Sequence, residues 1–295
     1  MLRRICLLFL PVISTAFVFA QDTSTKPEIP VATQWVLDGL KSPAQKGAVK
    51  SVLMIVCRKD ERKGTGFALE DGAIIATNSH VVGSCKAEEL EGTSALGKPV
   101  KFSSMVQDEN RDLALLCPTK ALPVGLQLGA GQSMIETEVE TWGYPLSYLG
   151  FAPVLSRGYV AGFTNNVHLN QDGTPTAPVK RLIVNGAFNP GNSGGPLVDR
   201  ATGKVVGVVV AKWTLFSPMA KMVILGLQNS PTRTGSAFTR KGANGQSLMV
   251  SNEEAIAAVL EEFYNLSQVM VGEAISVSEL DAFLKDKRRE LACHE

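Results

Sequence analysis

The sequence contains few of the residues on which metal and nucleic-acid sites depend. It has three histidines, His80, His168 and His294, which lie far apart, and five cysteines with no C-x-x-C pair. This spacing offers no structural zinc site, and we expect neither a metal nor another cofactor. The 29 Lys and Arg residues balance 28 Asp and Glu residues without a basic run, which argues against a nucleic-acid partner. There is no internal repeat and no long low-complexity tract.

Long apolar runs are also scarce, and the most prominent one lies at the N-terminus. A short basic start precedes an apolar stretch over residues 5–20, which is too short and lacks the flanks of a membrane-spanning helix. Val18 and Ala20 occupy the positions that a signal peptidase reads, so residues 1–20 are predicted to be a signal peptide. The alternative is an uncleaved membrane anchor. Either way the rest of the chain is predicted to be secreted or periplasmic, and no stable membrane insertion is expected after cleavage.

Four cysteines remain after removal of this segment, namely Cys57, Cys85, Cys117 and Cys293. In an oxidising compartment an even number suits two disulfides, which can connect in three ways. The alternative is that they are isolated buried thiols that behave as small apolar residues.

The order of β-rich segments predicts an all-β fold. Residues 21–50 are polar and contain several prolines, and they are predicted to be an N-terminal linker with one short helix over residues 32–40. From residue 51, short β-rich runs alternate with Gly- and Asp-rich turns, which is typical of barrels or sandwiches rather than βαβ units. A gap over residues 118–134 separates two sets of runs and predicts two barrels joined by a linker.

Two helices are predicted near the C-terminus. Ser251 can cap a segment whose apolar residues recur at helical spacing. Ser276 and Glu279 fit a capping box for a second helix. We expect residues 51–265 to form the main domain, and residues 266–295 to form a helical tail whose apolar stripe docks onto it.

The sharpest local feature is a serine in the glycine-rich loop 189–197, which has the sequence NPGNSGGPL. Glycine permits positive-φ turns and lets a substrate approach the main chain closely. A nucleophilic serine needs this setting, because backbone N–H groups beside the attacking oxygen must stabilise an oxyanion. Ser193 is therefore the candidate nucleophile, with the N–H groups of Gly191 and Ser193 as candidate oxyanion donors. The alternative is a glycine-rich turn that happens to contain a serine.

A histidine and an aspartate stand where a base and its partner would be expected. Serine is a weak nucleophile without a base. His80 follows an apolar β-rich run, so a strand end would place its imidazole at a cleft between the two barrels. Asp112 directly precedes an apolar run and could orient the histidine and stabilise its cation. Asp108 is predicted to be a solvated turn residue. Taken alone, Asp112 could equally be a turn residue at the start of a strand.

The order of the three candidates, His80, Asp112 and Ser193, is the chymotrypsin order. Together with the surrounding motifs it makes the chain resemble the chymotrypsin-like serine peptidases, and most of all the bacterial HtrA (Deg) branch, over about residues 51–263. The motifs are GTGF at 64–67, TNSHVV at 77–82, RDLALL at 111–116 and NPGNSGGPL at 189–197.

This resemblance implies a fold, a site and an activity. The fold is two six-stranded antiparallel β-barrels with the cleft between them, followed here by C-terminal helices. His80 would be the general base, Asp112 its orienting acid, Ser193 the nucleophile, and the Gly191 and Ser193 N–H groups the oxyanion hole. The implied activity is that of a serine endopeptidase, which cleaves polypeptide substrates through an acyl-enzyme.

The resemblance also implies a substrate pocket. Ala187 stands before the serine at the position where trypsin-type enzymes keep an aspartate, and the opposite wall is expected at Val209, Val210 and Ala211. Because these side chains carry no charge, we expect a preference for small or medium apolar side chains before the cut. In this fold the strand after the histidine turn can lie beside the first strand, which makes a disulfide between Cys57 and Cys85 the expected pair.

Two departures from the family bear on function. HtrA proteins usually carry a PDZ domain after the peptidase, and the short segment after Phe263 predicts that none is present. Asn192 stands where digestive relatives have an aspartate that pairs with a new N-terminus. Asparagine cannot supply that charge, so activity is expected without zymogen cleavage.

Three functions other than a peptidase are compatible with parts of the sequence. A catalytically silent peptide-binding module could use the same fold, and an envelope protein could be anchored by residues 5–20. The loop also fits G-x-S-x-G, the nucleophile elbow of α/β-hydrolases, but that fold needs its acid and histidine after the serine. Only His294 follows Ser193, so the hydrolase interpretation is rejected.

Overall fold

The computed structural model describes residues 29–70, 72–131, 133–146, 148, 150–167, 172–212, 218–228, 238–241, 247–266, 270–291 and 293. The predicted signal peptide, His168 and His294 lie outside these ranges. None of the helices within them has the length and apolar composition needed to span a bilayer.

Two helices precede the first sheet, α1 (Val31–Gly39) and α2 (Pro43–Ser51). The linker prediction had one helix here and missed the second. Ser42 caps α2 by accepting a hydrogen bond from the Gln45 backbone N–H at 3.5 Å, and proline suits the first helical position. Burial of Ala48 and Val49 then fixes α2 on the body of the domain.

The first half of the chain forms a seven-stranded antiparallel sheet. Its strands are β1 (Val52–Cys57), β2 (Arg62–Leu69), β3 (Ile74–Thr77), β4 (Leu90–Ser94), β5 (Pro99–Val100), β6 (Phe102–Asp108) and β7 (Leu113–Pro118). They are ordered β5-β4-β1-β2-β3-β7-β6. A single helical turn, α3 (Ser79–Val82), follows β3. Strand β5 stays a two-residue edge strand because proline cannot donate to a ladder.

The second half forms a closed six-stranded barrel. Its strands are β8 (Glu138–Gly143), β9 (Val154–Asn166), β10 (Val179–Gly186), β11 (Pro196–Asp199), β12 (Val205–Lys212) and β15 (Val271–Ser276). The order around the barrel is β10-β15-β12-β11-β8-β9. A separate hairpin, β13 (Phe238–Lys241) and β14 (Ser247–Val250), lies between β12 and β15 in the chain. The predicted two-barrel, all-β architecture is confirmed, with the first half present as an open sheet.

Strand β15 corrects the predicted boundary at residue 265. It lies inside 266–295, the segment expected to be only helical, and it closes the barrel by pairing with β10 and β12. Gly272 is the second residue of this strand. In the structure it is a packing requirement, because a Cβ there would lie 2.3 Å from the Phe188 ring.

Three helices complete the described residues, α4 (Pro218–Gln228), α5 (Asn252–Leu266) and α6 (Val277–Leu291). The Ser251 side chain caps α5 by accepting from the Glu254 N–H at 3.2 Å. The predicted capping box of α6 does not form. Ser276 Oγ accepts from the Ser278 N–H at 3.4 Å, while Glu279 turns to partners outside the helix.

One apolar cluster joins the two halves. It includes Phe67 and Leu113 from the first sheet, Trp142 and Val208 from the barrel, and Phe283 from α6. Helix α6 therefore packs across both halves, and the site described next lies where they meet.

Candidate active site

His80 is presented by the single turn α3. Val81 and Val82 are 1% and 0% exposed and fix the turn to the first sheet, while the His80 side chain stays 43% exposed. The Arg62 guanidinium donates to the His80 carbonyl at 2.6 Å. This contact satisfies a carbonyl that a four-residue helix leaves without a partner. Local packing therefore points the imidazole outward while its backbone is held.

Asp112 lies in the turn between β6 and β7 and reaches His80 twice. Its Oδ1 accepts from the His80 backbone N–H at 3.0 Å, and its Oδ2 lies 2.8 Å from His80 Nδ1. A carboxylate only accepts, so Nδ1 carries the proton and Nε2 is left as the acceptor. The carbonyl of Asp112 accepts from the Asn78 amide at 2.9 Å.

The backbone of Asp112 has a φ of +58°, in the left-handed region that few residues other than glycine adopt. The side chain is 17% exposed. Contacts on both its carbonyl and its carboxylate hold the residue in this conformation, as expected for strain kept at a functional position.

Ser193 lies in the loop between β10 and β11. Gly191 and Gly194 have φ values of +95° and +83°. A Cβ would lie 2.3 Å from the Tyr144 carbonyl oxygen at the first position and 2.1 Å from the Thr65 carbonyl oxygen at the second. Glycine is required at both places for its conformation and for lack of space.

Strand β2 holds the serine loop through Thr65. The Thr65 N–H donates to the Ser193 carbonyl at 2.8 Å, and the Thr65 hydroxyl donates to the Gly191 carbonyl at 2.7 Å. The same hydroxyl accepts from the Tyr144 N–H at 3.1 Å. Among the described residues, no acceptor is paired with the N–H of Gly191 or Ser193, as an oxyanion site requires.

The Ser193 hydroxyl donates to the carbonyl of Val210 at 2.8 Å. Val210 is the extra residue of a bulge, because the register of β12 against β15 shifts between Val209 and Ala211. The bulge leaves this carbonyl out of the sheet and able to accept. Within the described residues no hydrogen bond joins Ser193 to His80.

The serine and histidine segments nevertheless converge on Gly64 in β2. A Cβ at this position would lie 2.5 Å from Val81 of α3 and 3.0 Å from the Ser193 carbonyl oxygen. The structure thus brings His80 and Asp112 into direct contact, and it brings the Ser193 loop to the same point of the first sheet.

Buried polar groups without partners surround the serine loop. Asn192 is fully buried, and neither atom of its amide has a hydrogen-bond partner among the described residues. The same holds for Thr141 Oγ1, Trp142 Nε1 and the Tyr144 hydroxyl. Burial raises the pKa of the Tyr144 phenol far above its usual value, so this group is neutral.

The residues predicted to form the substrate pocket differ in their burial. Ala187 is half-buried. Val209 is 1% exposed and belongs to the barrel core together with Val184 and Ala274, so its side chain cannot be an exposed wall. Val210 contributes its carbonyl, as described above. The Ala211 side chain lies outside the described residues.

A small cleft of about 390 Å³ opens beside His80 and Asp112. Its other lining residues are Arg62, Ser79, Gly83, Ser84, Gln107 and Glu109. Arg62 and Glu109 give it charges of both signs, which the sequence did not foreshadow. Ser79 belongs to the motif at 77–82. No motif marked Arg62, Gln107 or Glu109, because these residues reach His80 through folding and not as its neighbours in the chain.

Two disulfides brace the histidine and aspartate side of the site. One joins Cys57 at the end of β1 to Cys85 just after α3. The other joins Cys117 in β7 to Cys293 beyond α6. Asp60 adds a non-covalent contact, because its carboxylate accepts from the Ser84 N–H at 2.6 Å.

Parts of the chain match known proteins in sequence. Residues 64–208 match the family described as "Trypsin-like peptidase domain". A Staphylococcus aureus protein named "Serine protease HtrA-like" is 30% identical over 147 residues, 48% of this chain and 19% of that protein. "Uncharacterized protein y4bJ" of Sinorhizobium fredii is 31% identical over 207 residues, 68% of this chain and 28% of that protein. The chain thus spans less than a third of the length of these curated relatives.

Solved structures share the fold. The active form of the Rv3671c protease from M. tuberculosis superposes with a TM-score of 0.55 at 18% identity, covering 94% of this chain and 96% of that one. The inactive form gives a TM-score of 0.55 at 18% identity, over 83% of this chain and 92% of that one.

Proposed function

Because the chain belongs to the trypsin-like peptidase family, we propose that it is a serine endopeptidase that hydrolyses polypeptides. The observation that carries this proposal is the contact of His80 Nδ1 with Asp112 Oδ2 at 2.8 Å, opposite a serine in a positive-φ glycine loop. An imidazole with its Nδ1 proton held by a carboxylate has Nε2 free to take a proton from a hydroxyl.

In the proposed reaction Ser193 is the nucleophile and His80 the general base. The serine hydroxyl first leaves the Val210 carbonyl and turns towards His80 Nε2. As the Ser193 oxygen bonds to the peptide carbonyl carbon, its proton passes to His80, and Asp112 stabilises the imidazolium that forms. The N–H groups of Gly191 and Ser193 donate to the resulting oxyanion.

Breakdown of this intermediate expels the amine and leaves an acyl-enzyme. His80 gives its proton to the departing nitrogen as the C–N bond breaks, which leaves Ser193 esterified. Water then attacks the ester with His80 again as base, and the acid product leaves. Each proton taken is returned, so the residues named are sufficient for both steps.

We further propose that small or medium apolar side chains are preferred before the cut. Ala187 and the Val210 region supply no charge to that part of the site. A peptide-library cleavage profile tests this preference, and cleavage mainly after Arg or Lys would contradict it.

An extracytoplasmic location fits the same proposal. The apolar segment at residues 5–20 is typical of a signal peptide, and disulfides are stable in oxidising compartments. Cell fractionation with an antibody to the C-terminal region would test the location, and protein confined to the cytoplasm would contradict it.

The second candidate is a silent peptide-binding module. The hydrogen bond from the Ser193 hydroxyl to Val210 at 2.8 Å favours it, because a serine fixed in this way is not activated. The two candidates make opposite predictions for a serine-reactive reagent.

A fluorophosphonate probe separates the two candidates when applied to residues 21–295 as wild type, Ser193→Ala and His80→Ala. A peptidase is expected to be labelled in the wild type only, with the labelling rate of His80→Ala lower by about 10⁴-fold or more. Ser103→Ala is the matched control, since this serine lies on β6. Folded wild type that resists the probe would establish the binding module instead.

A further inference from the structure

We infer that Arg111 and Glu279 are positioning residues that hold the turn bearing Asp112 against the second barrel. This inference rests on the proposed peptidase function and adds two residues to its machinery. The turn over residues 108–112 is called the acid turn below. The name cross-barrel tie is used for the contact of Arg111 with Glu279 on α6 and the contact of Glu279 with the Lys180 N–H on β10.

The acid turn is built around Asp108, which the sequence had predicted to be a solvated residue. Asp108 Oδ1 accepts from the Arg111 backbone N–H at 2.9 Å, and Oδ2 lies 2.5 Å from Arg111 Nη1. The Asp108 side chain is 19% exposed. One carboxylate therefore fixes both the backbone and the guanidinium of the residue that precedes Asp112.

The other edge of the Arg111 guanidinium reaches α6. Arg111 Nε donates to Glu279 Oε2 at 3.2 Å, and the two side chains are 32% and 19% exposed. Partial burial makes such a pair stronger and less screened than one on the open surface. This contact explains why Glu279 does not complete the predicted capping box.

Glu279 also contacts the barrel. Its Oε1 accepts from the Lys180 backbone N–H at 3.1 Å. Lys180 is the second residue of β10, the strand that leads to the Ser193 loop. A second hydrogen bond also joins the acid turn to the segment before β10, since the Asn110 amide donates to the Ala177 carbonyl at 3.4 Å.

The tie matters because the reacting groups lie on different halves of the molecule. His80 and Asp112 belong to the first sheet, whereas Ser193 belongs to the barrel, so proton transfer depends on how the halves are placed. A misplacement of about 1 Å caused by a distant change can cost on the order of 100-fold in rate. Neither Arg111 nor Glu279 lines the cleft beside His80, so loss of the tie should slow chemistry without weakening binding.

The test measures fluorophosphonate inactivation of Arg111→Gln, Glu279→Gln and the double variant. The limiting rate, kinact, is expected to fall about 10-fold in each, with KI unchanged, because the reacting groups and not the binding surface are displaced. The double variant should be no slower than either single one, since both changes break the same contact. Arg111→Lys, which keeps the charge, should recover most of kinact.

Arg288→Gln is the matched control. Arg288 joins α6 to Glu70 through an exposed ion pair at 3.2 Å, so this contact ends beside β2 and not on the acid turn, and its loss should leave kinact at the wild-type value. Equal losses in Arg288→Gln and Glu279→Gln would show that only general docking of α6 matters and would overturn the inference. So would a wild-type kinact in Arg111→Gln, or effects that multiply in the double variant.

Failure of the proposed function gives a different result. Folded wild type that resists the probe refutes the peptidase itself, whereas a labelled wild type with unaffected variants refutes only the positioning role. Circular dichroism melts accompany every variant. Glu279→Gln retains an acceptor for the Lys180 N–H. If Arg111→Gln does not fold, the kinact of Glu279→Gln alone decides the inference.

Discussion

The two halves of the candidate site are held by different means. His80 and Asp112 are fixed by side-chain hydrogen bonds of 2.8–3.0 Å, with disulfides beside them. The Ser193 loop is held through its own main-chain carbonyls, which accept from the N–H and the hydroxyl of Thr65, and through glycines at positive φ. Directional contacts to a charged group are stronger than neutral ones, so the base is organised in advance while the nucleophile depends on loop conformation.

The two sides of the site also differ in the hydrogen bonds of Ser193 and Asp112. Around the serine loop, the amide of Asn192 is buried without a described partner, and the Ser193 hydroxyl is directed at Val210. Beside His80 and Asp112, the side-chain oxygens of Asn78 and Asn110 are also buried without a described partner, but both carboxylate oxygens of Asp112 are hydrogen-bonded. In the proposed reaction the His80–Asp112 contact is already formed, and the first step is rotation of the Ser193 hydroxyl away from Val210.

The largest effect on kcat is expected from removing the negative charge of Asp112. Asp112→Asn should lower kcat by about 10³–10⁴-fold, because a neutral amide no longer fixes the Nδ1 proton or stabilises the imidazolium. Asp281→Asn, in an exposed ion pair on α6, serves as the control. Hydrolysis of a peptide or activated ester measures the effect, and a loss below tenfold would show that this half is less decisive than its geometry indicates.

A smaller effect on kcat is expected from a change at Thr65, which holds the Ser193 loop. Thr65→Val removes the hydroxyl that donates to the Gly191 carbonyl while keeping the size of the side chain. We expect a loss of about 10–100-fold in kcat, because one donor of the oxyanion site is no longer aimed correctly. Thr65→Ser retains the hydroxyl and should stay close to wild type. Equal rates for the Val and Ser variants would refute the role assigned to this contact.

The smallest effect on rate is expected from the disulfide beside His80. Replacing Cys57 and Cys85 together by Ser should lower the free energy of unfolding by about 2–4 kcal/mol. The rate should change little while the protein is folded, since Asp60 and Arg62 also hold this segment. Denaturant titration and initial rates test the two parts separately. A large loss of rate in folded protein would show that the hydrogen bonds alone do not organise this side.

Short-range signals explain what the sequence predicted well. His80, Asp112 and Ser193 each stand in a motif whose neighbours define the local conformation, such as the apolar residues after Asp112. The two-barrel fold follows from the spacing of β-rich runs and is confirmed by the match to the family and to solved structures. The roles of the three residues remain proposals that the variants above address.

Long-range contacts explain what the sequence did not predict. The Arg111–Glu279 pair spans 168 positions, and neither residue stands in a motif that marks the other. Strand β15 was missed because its place depends on pairing with the distant strands β10 and β12, where Gly272 makes room for Phe188. Val209 was assigned to a pocket wall, whereas barrel closure places it in the core.

Gly64 determines how closely the two halves approach. Its missing side chain leaves space that Val81 and the Ser193 carbonyl fill from opposite halves of the molecule. The distance between the turn that carries His80 and the loop that carries Ser193 therefore depends on the absence of a side chain at Gly64. Any carbon added at residue 64 would push the turn that carries His80 and the loop that carries Ser193 apart, although each segment could keep its own conformation.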